Sequence, residues 1–456
     1  AAEAVVVMRP LMTLEGEKLN ESPFWRAARM AVGNPPVETV PLDRTLDRCW
    51  SQAELAAVAH REFLRSTNDR TTAAEETERA MSGDRAPARV LSYTRYTNSA
   101  RLTPDLVAEF LSPTQFRTGA SKLEAFGKCA FKHAASAFLK PRIVMKPEFE
   151  VRDAGNYLHA ILKNITRLIR LDSLMDTNTN IAQQNLLYEK AAEEPRLRLR
   201  ATGLLETGAG NFLLDRIDTA LRPFVGWNLD YYKEWGAKTV LEEHSFSQEI
   251  SGVELPGGRT LVLTGRVDRV DQLSNGFWLI FDYKSTKRSL NLGAVIAGEE
   301  LQIPVYLLAS KDPSKCAGGV YLSTLKNEWE NGNPSIRAQG AVRESAYRDA
   351  FGDALAWAKV GFIEGASKDP KDGPFRGSAL SESDFNLLLE TSRETIAWHA
   401  DAIISGNAQV QPVVRGQNSP CTYCDFRPLC GVDPTVNKKR QVENISRPLA
   451  LEMLRG

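Results

Sequence analysis

The sequence predicts an α/β fold, with a mixed sheet core flanked by helices, and three stretches carry that expectation. Residues 262 to 284 alternate apolar and polar side chains on either side of Ser274-Asn275-Gly276, the pattern of a β-hairpin. Leu158, Ile161, Leu162, Ile165, Leu168 and Ile169 recur at helical spacing and form one apolar stripe that faces a core. A Ser381-x-x-Asp384 cap opens a further long helix that runs to Gly406.

Taken in order, residues 1 to about 95 open on a strand-like Val5-Val6-Val7-Met8, followed by Asn20-Glu21-Ser22-Pro23-Phe24-Trp25. The polar stretch Asn68 to Arg89, rich in Thr, Glu and Ala, reads as a linker or exposed helix. Residues 96 to 240 read as mostly helical, and residues 240 to 325 carry the sheet, with Val320-Tyr321-Leu322 as a later strand. Ser121 and Glu124 suit a Ser-x-x-Glu capping box on a helix that includes Cys129. The chain begins with Ala rather than Met, which suggests a fragment or engineered piece of something longer. There is no internal repeat.

The hairpin is the most informative stretch. Val262, Thr264, Arg266 and Asp268 share one face of its first strand, and Trp278, Ile280, Asp282 and Lys284 share one face of its second. A three-residue loop centred on Asn275, with Gly276 in the left-handed position, sets Asp268 against Asp282. A two-residue Asn-Gly loop would set Asp268 against Tyr283 instead and carry Asp282 off that face. Facing carboxylates repel, so folding alone does not call for the pair. The plain alternative is a surface hairpin with scattered charges. Against it, the Asp282-Tyr283-Lys284 triplet ends a strongly apolar strand, where charges need partners or a function. Hard oxygen donors such as these suit Mg²⁺ or Mn²⁺. Lys284, two residues beyond Asp282, shares its face and could stabilise a developing anion.

Asp268 followed by Asp282-x-Lys284 resembles the PD-(D/E)xK nucleases, and Gly265-Arg266-Val267-Asp268-Arg269-Val270-Asp271 resembles their RecB-like branch. Gly155-Asn156-Tyr157-Leu158-His159 lies upstream, where that branch carries a metal-binding histidine on a helix. Gln302-Ile303-Pro304-Val305-Tyr306 matches its Gln-x-x-x-Tyr helix motif. The resemblance implies a restriction-endonuclease-like sheet, catalytic roles for Asp268, Asp282, Lys284, Gln302 and Tyr306, and a metal shell of His159, Asp268, Asp282 and the Tyr283 carbonyl. It also implies that Gln302 and Tyr306 line the DNA path. Asp271 sits at a recurrent acidic position of the motif. Read from spacing alone, His159 is a core-edge histidine and Tyr306 an inward-packed aromatic.

The cysteines form a second constellation. Cys421-x-x-Cys424 followed by Cys430 is a metal-ligand spacing, and Cys129 stands far upstream. Thiolates select zinc or an iron–sulfur cluster, and four-cysteine ligation of a cubane tolerates a remote fourth ligand. The alternatives are a zinc ion and buried free thiols. Leu123 to Phe131 resembles the segment with which the B subunits of AddAB-type helicase–nucleases supply one cysteine to a 4Fe–4S cluster. Such a bridge would close a loop of roughly 290 residues and staple the fold. Cys49 and Cys316 read as ordinary structural residues.

Composition frames these sites. The chain has 456 residues, 43% hydrophobic and 25% charged, as a globular protein does rather than a disordered one. Its length suggests about two to three domains. The resemblance divides it into a remnant of a helicase-like domain or linker over 1–95 and a nuclease domain over 96–456. The formal net charge is zero, so affinity for nucleic acid must come from local patches such as Lys122 to Lys146. No apolar run or secretory signal marks a membrane or export route, and unpaired metal-type cysteines suit a reducing cytoplasm. No Gly-x-x-x-x-Gly-Lys-Ser/Thr loop occurs, so a helicase motor must lie on a partner protein or on missing sequence.

The expected activity is therefore metal-dependent hydrolysis of single-stranded DNA, on the 5′-ended strand by resemblance, in double-strand-break repair or DNA end processing. CRISPR-associated and exonuclease-V-like single-strand nucleases share the four-cysteine core and offer a second reading. A non-catalytic DNA-guiding scaffold is a third.

Overall fold

The computed structural model describes residues 21–37 and, with short breaks, 98–346 and 379–456. Val5–Met8, Cys49, Asn68–Arg89 and the end of the Lys122–Lys146 stretch lie outside the described residues. The chain divides into two compact units, Ala1–Tyr96 and Thr97–Gly456. In the first, helix α1 (Pro23–Ala31) starts at Ser22, whose hydroxyl accepts from the Phe24 amide at 3.2 Å.

The second unit opens with α2 (Pro104–Phe110), the short strand β1 (Gln115–Thr118), α3 (Ala120–Lys128) and α4 (Ala130–Ala134). Four helices follow: α5 (Val151–Leu171), α6 (Ile181–Ala201), α7 (Gly208–Leu221) and α8 (Pro223–Trp235). The sheet then forms from β2 (Lys238–Leu255), β3 (Arg259–Gln272) and β4 (Trp278–Lys284). Short helices α9 (Leu292–Ile296) and α10 (Gln302–Leu308) lead to β5 (Cys316–Ser323). Strands β6 (Trp329–Glu330) and β7 (Asn333–Pro334) pair only with each other, while β8 (Arg337–Arg343) and β9 (Ala379–Leu380) extend the main sheet. Helix α11 (Glu382–Ile404) begins at Ser381, whose hydroxyl accepts from the Asp384 amide at 3.1 Å. The chain ends through β10 (Val413–Val414), α12 (Arg427–Cys430), β11 (Arg440–Gln441) and α13 (Arg447–Arg455).

Among the described residues the main sheet has seven strands, in the order β1-β3-β4-β5-β8-β9 with β2 on the other edge of β3. It is therefore wider than residues 240 to 325, because β1 comes from upstream and β8 and β9 from downstream. β2 runs along one edge of β3, so β1 and β4 share the other. β1 pairs in parallel with Thr260–Leu263, and β4 pairs antiparallel with Arg269–Gln272.

Helices cover both faces. Leu279, Phe281 and Tyr283 of β4 pack into a core with α5 to α8, and Ile280 packs with α3, α10, α11 and α13 on the other face. This is the mixed, helix-flanked sheet expected from the sequence. None of the described helices is long and apolar enough to cross a membrane.

The hairpin turn fixes the register. Leu273 N–H donates to Phe277 O at 2.8 Å, and Gly276 sits at φ 84°, a conformation that costs a residue with a Cβ. Arg269 pairs with Phe281 and Gln272 with Trp278, so Asp268 falls opposite Asp282. The two strands part there: the Tyr283 amide donates to the Asp268 carboxylate at 2.7 Å, not to a ladder carbonyl. The three-residue loop, and not the Asn-Gly alternative, forms.

Helix α3 differs from expectation at both ends. Gly119 caps α3, which starts at Ala120, so Ser121 and Glu124 lie inside the helix and form no capping box. The Glu124 carboxylate instead accepts from the Leu301 and Gln302 amides at 2.9 and 3.1 Å, donors that the start of α10 leaves without intrahelical partners. Cys129 stands in extended conformation between α3 and α4 rather than within a helix.

Candidate active site and metal centre

The site occupies the fork where β3 and β4 part. Asp268 and Asp282 come from these strands and are buried, 7% and 2% exposed. His159 reaches Asp268 from α5, with Nδ1 at 3.2 Å from Oδ1, and its ring stands edge-on to Tyr283 at 5.7 Å. Helix α10 closes the other side. Gln302 Nε2 donates to Asp282 Oδ1 at 2.6 Å, and the Tyr306 hydroxyl lies 3.3 Å from that oxygen and 3.1 Å from Arg266 O. Lys284 Nζ is ion-paired with Asp282 and donates to Gln302 Oε1 at 2.9 Å. The structure thus brings together all six residues that the sequence analysis places in the site with a side-chain role: His159, Asp268, Asp282, Lys284, Gln302 and Tyr306. Tyr283, expected through its carbonyl, lies between Asp282 and Lys284 on β4 with its side chain buried toward α5.

Crowded carboxylates set the electrostatics. Burial, and then the charge of Asp268, push the Asp282 carboxyl up to about 6, with Lys284 pulling against them. Burial draws the His159 imidazole down, but its hydrogen bond to Asp268 and the surrounding carboxylates outweigh that and leave it above its ordinary value. Such a pocket is short of positive charge.

A seventh residue completes it. Glu243 of β2 joins His159 and Asp268 so that one donor atom from each lies within 4.8 Å of the others. Its carboxylate also takes Arg266 Nε at 2.9 Å. Glu243 holds φ 46°, a left-handed conformation that is uncommon and costly for a residue with a side chain. In the sequence it is one of two adjacent glutamates in an alternating strand, and only the pairing of β2 with β3 brings it to Asp268.

Asp271 does not belong to the site. Its carboxylate and the Arg269 guanidinium form a fully buried ion pair on the opposite face, supported by the Thr239 hydroxyl at 2.7 Å and Asn228 at 2.7 Å. Period two decides this, since residues 269 and 271 point away from residue 268. Tyr306 packs inward, as its spacing alone reads, and not along an open DNA path: it is 7% exposed and edge-on against Phe246. Gln302 and Tyr306 hold the Asp282 carboxylate.

Cys129, Cys421, Cys424 and Cys430 line one small pocket, together with Phe131, Val410 and Pro412. Among the described residues no three of the four sulfurs lie within 4.8 Å of one another. Burial raises the Cys129 thiol above its ordinary value. Cys316 stands apart, buried in β5 with its thiol pushed up to about 12, as a structural cysteine.

The sequence profile of the PD-(D/E)XK nuclease superfamily matches residues 117–431, well over half of the chain. The chain belongs to this superfamily. Its nuclease core resembles curated proteins named as the B subunit of an ATP-dependent helicase/deoxyribonuclease. The protein of that name from Symbiobacterium thermophilum is 28% identical over 378 residues, covering 75% of this chain and 32% of the relative. That from Desulforudis audaxviator is 28% identical over 389 residues, 77% of this chain and 33% of the relative. A third, from Bacillus thuringiensis, is 26% identical over 413 residues, 81% of this chain and 34% of the relative. The chain thus spans about a third of the length of these relatives. Members of the PD-(D/E)XK superfamily use divalent metal ions, and the acidic site at Asp268 is where this nuclease core offers a place for one.

Proposed function

We propose that residues 96–456 form a metal-dependent nuclease that hydrolyses phosphodiester bonds of single-stranded DNA during end processing or double-strand-break repair. The convergence of His159, Glu243 and Asp268 beside the Asp282–Lys284 pair is the observation that carries the reading. Imidazole and carboxylate donors fit Mg²⁺ or Mn²⁺, and the raised Asp282 carboxyl reports a pocket that a cation would relieve. His159, Asp268, Asp282 and the Tyr283 carbonyl would hold it, with the Glu243 carboxylate beside them. A bound cation supplies positive charge against the phosphoryl oxygens and makes a nearby water more acidic.

The remaining roles fall to this chain's own groups. Lys284, anchored by Asp282 and Gln302, orients the attacking water and meets charge developing on the phosphate. Gln302 and Tyr306 fix the orientation of Asp282, so that the carboxylate need not reorganise during the reaction. Lys122, Lys128 and Lys132 supply contacts to the DNA backbone rather than to base edges.

The names of the relatives favour the AddAB-type reading over the CRISPR-associated one, and they suggest a helicase motor on a partner protein or on sequence beyond this chain. We read residues 1–95 as the tail of a helicase-like part or its linker. The 5′-ended strand is the expected substrate. Cleavage of end-labelled single-stranded and duplex oligonucleotides with Mg²⁺ and without ATP tests both points. Equal cutting of blunt duplex removes the single-strand assignment, and products shortening only from the 3′ end remove the polarity.

A 4Fe–4S cluster on Cys129, Cys421, Cys424 and Cys430 fits the shared pocket. Its ligands stand farther apart than those of a single zinc ion, in keeping with the spread of the four sulfurs. Cys424→Ala is expected to bleach the visible absorbance of anaerobically purified protein and to lower its melting temperature. Colourless wild-type protein with stoichiometric zinc would replace this cluster by a zinc site.

A further inference from the structure

Helix α3 approaches the turn before α10 so closely that a Cβ on Gly127 would lie 2.0 Å from Gly298 O. At that approach Glu124, one turn earlier on α3, crosses to α10. One carboxylate oxygen, Oε1, takes both the Leu301 and the Gln302 amide, at 2.9 and 3.1 Å, and Oε2 faces Lys128 Nζ at 3.6 Å. Leu301, which caps α10, offers no side-chain acceptor of its own. The next link is Gln302 itself, which donates to Asp282 Oδ1 and accepts from Lys284 Nζ.

We propose that Glu124 is a positioning residue: it caps α10 from a separate helix and thereby holds Gln302 on the Asp282–Lys284 pair. The inference rests on the nuclease reading for its kinetic consequence and on geometry alone for its structural one. A seven-residue helix has little stability of its own, so the orientation of its first residue depends on what satisfies its leading amides. Removing the carboxylate frees Gln302 to rotate, and Asp282 and Lys284 lose a shared hydrogen-bond partner. Of the groups assigned to the DNA backbone only Lys128 faces Glu124, and it keeps its charge when the carboxylate goes, so the loss falls on kcat and not on KM.

The experiment compares Glu124→Ala, Glu124→Gln and Gln302→Ala in the full chain. Glu124→Ala is expected to lower kcat by about 10- to 100-fold, the range of a slight misplacement, with KM for a single-stranded oligonucleotide unchanged. Glu124→Gln keeps the acceptor oxygen and is expected to retain most of the rate. The double variant Glu124→Ala/Gln302→Ala is expected to be no slower than Gln302→Ala, because both changes break one chain of contacts.

Hydrogen exchange gives a readout apart from activity: the Leu301 and Gln302 amides lose protection in Glu124→Ala and keep it in Glu124→Gln. Multiplicative losses in the double variant, or unchanged protection at these amides, would overturn the proposal. If Glu124→Ala does not fold, Glu124→Asp withdraws the carboxylate by one methylene and carries the same comparison. A wild-type chain that does not cut DNA would sink the nuclease reading, while the exchange experiment still decides the role of Glu124.

Discussion

Asp268→Ala and Asp282→Ala are each expected to abolish Mg²⁺-dependent cleavage while leaving a cooperative melt in place. Either change removes an oxygen donor from the fork where β3 and β4 part. Neither removes core packing, since the apolar faces of both strands are built by neighbouring residues. Asp282 also gives the stability effect a sign. Its carboxyl is raised to about 6 by burial and by Asp268. The folded protein therefore holds a proton that the unfolded chain releases near its ordinary value of 3.8. Stability from this group falls as pH rises across that window, and at neutral pH the penalty is fully in place. The Asp282→Ala protein should accordingly melt no lower than wild type at pH 7 in the presence of a chelator. Lys284→Ala is expected to bind Mn²⁺ still but to lose turnover by a factor on the order of 10² or more. Wild-type turnover in Asp282→Ala would end the assignment of the site.

The largest expected loss of stability lies on the opposite face of the same strand. Asp271→Ala leaves the Arg269 guanidinium fully buried without its carboxylate, a change that typically costs about 3–5 kcal/mol. Asn228 and the rings of Tyr231, Tyr232 and Phe281 remain around the guanidinium, but none carries a compensating charge. Denaturant titration of Asp271→Ala measures the loss. Arg269→Met/Asp271→Leu removes both charges and is expected to recover most of it, because an apolar pair avoids the desolvation penalty. A double variant as unstable as Asp271→Ala would show that the surrounding rings, and not the charge pair, hold this part of the core together.

The three aspartates of the hairpin show how differently neighbouring residues read in a sequence. Period-two alternation and the Ser274–Gly276 loop place Asp268 and Asp282 on one face with local information alone, and the structure has that register. Asp271, three residues from Asp268, looks like a motif position in the sequence, yet the same alternation turns it away from the site. Its partner Arg269 lies two residues away in the chain but needed the helices on that face to bury it. His159, Gln302 and Tyr306 were legible only through the family motifs that contain them, since helical spacing alone reads His159 as a core-edge histidine and Tyr306 as an inward-packed aromatic. Glu243 was not, since its role depends on strand pairing with β3 and on a left-handed backbone at one residue. Glu124 misled for a related reason: its spacing from Ser121 satisfies a local rule, whereas two unsatisfied amides some 180 residues downstream decide where its side chain goes.

The stitching at the start of the second unit has a mechanical consequence. The Asn98 side chain donates to Cys430 O and Gly431 O, each at 3.1 Å, and to Asn437 at 2.9 Å. Leu102 N–H bonds to Gly406 O at 2.8 Å, and Ala408 N–H to Ala100 O at 3.2 Å. Tension applied between residue 98 and residue 437 therefore passes first through this handful of contacts, arranged as a clasp, rather than along the strands of the sheet. A pull between those two points should open the clasp at low force and leave the fork between β3 and β4 assembled.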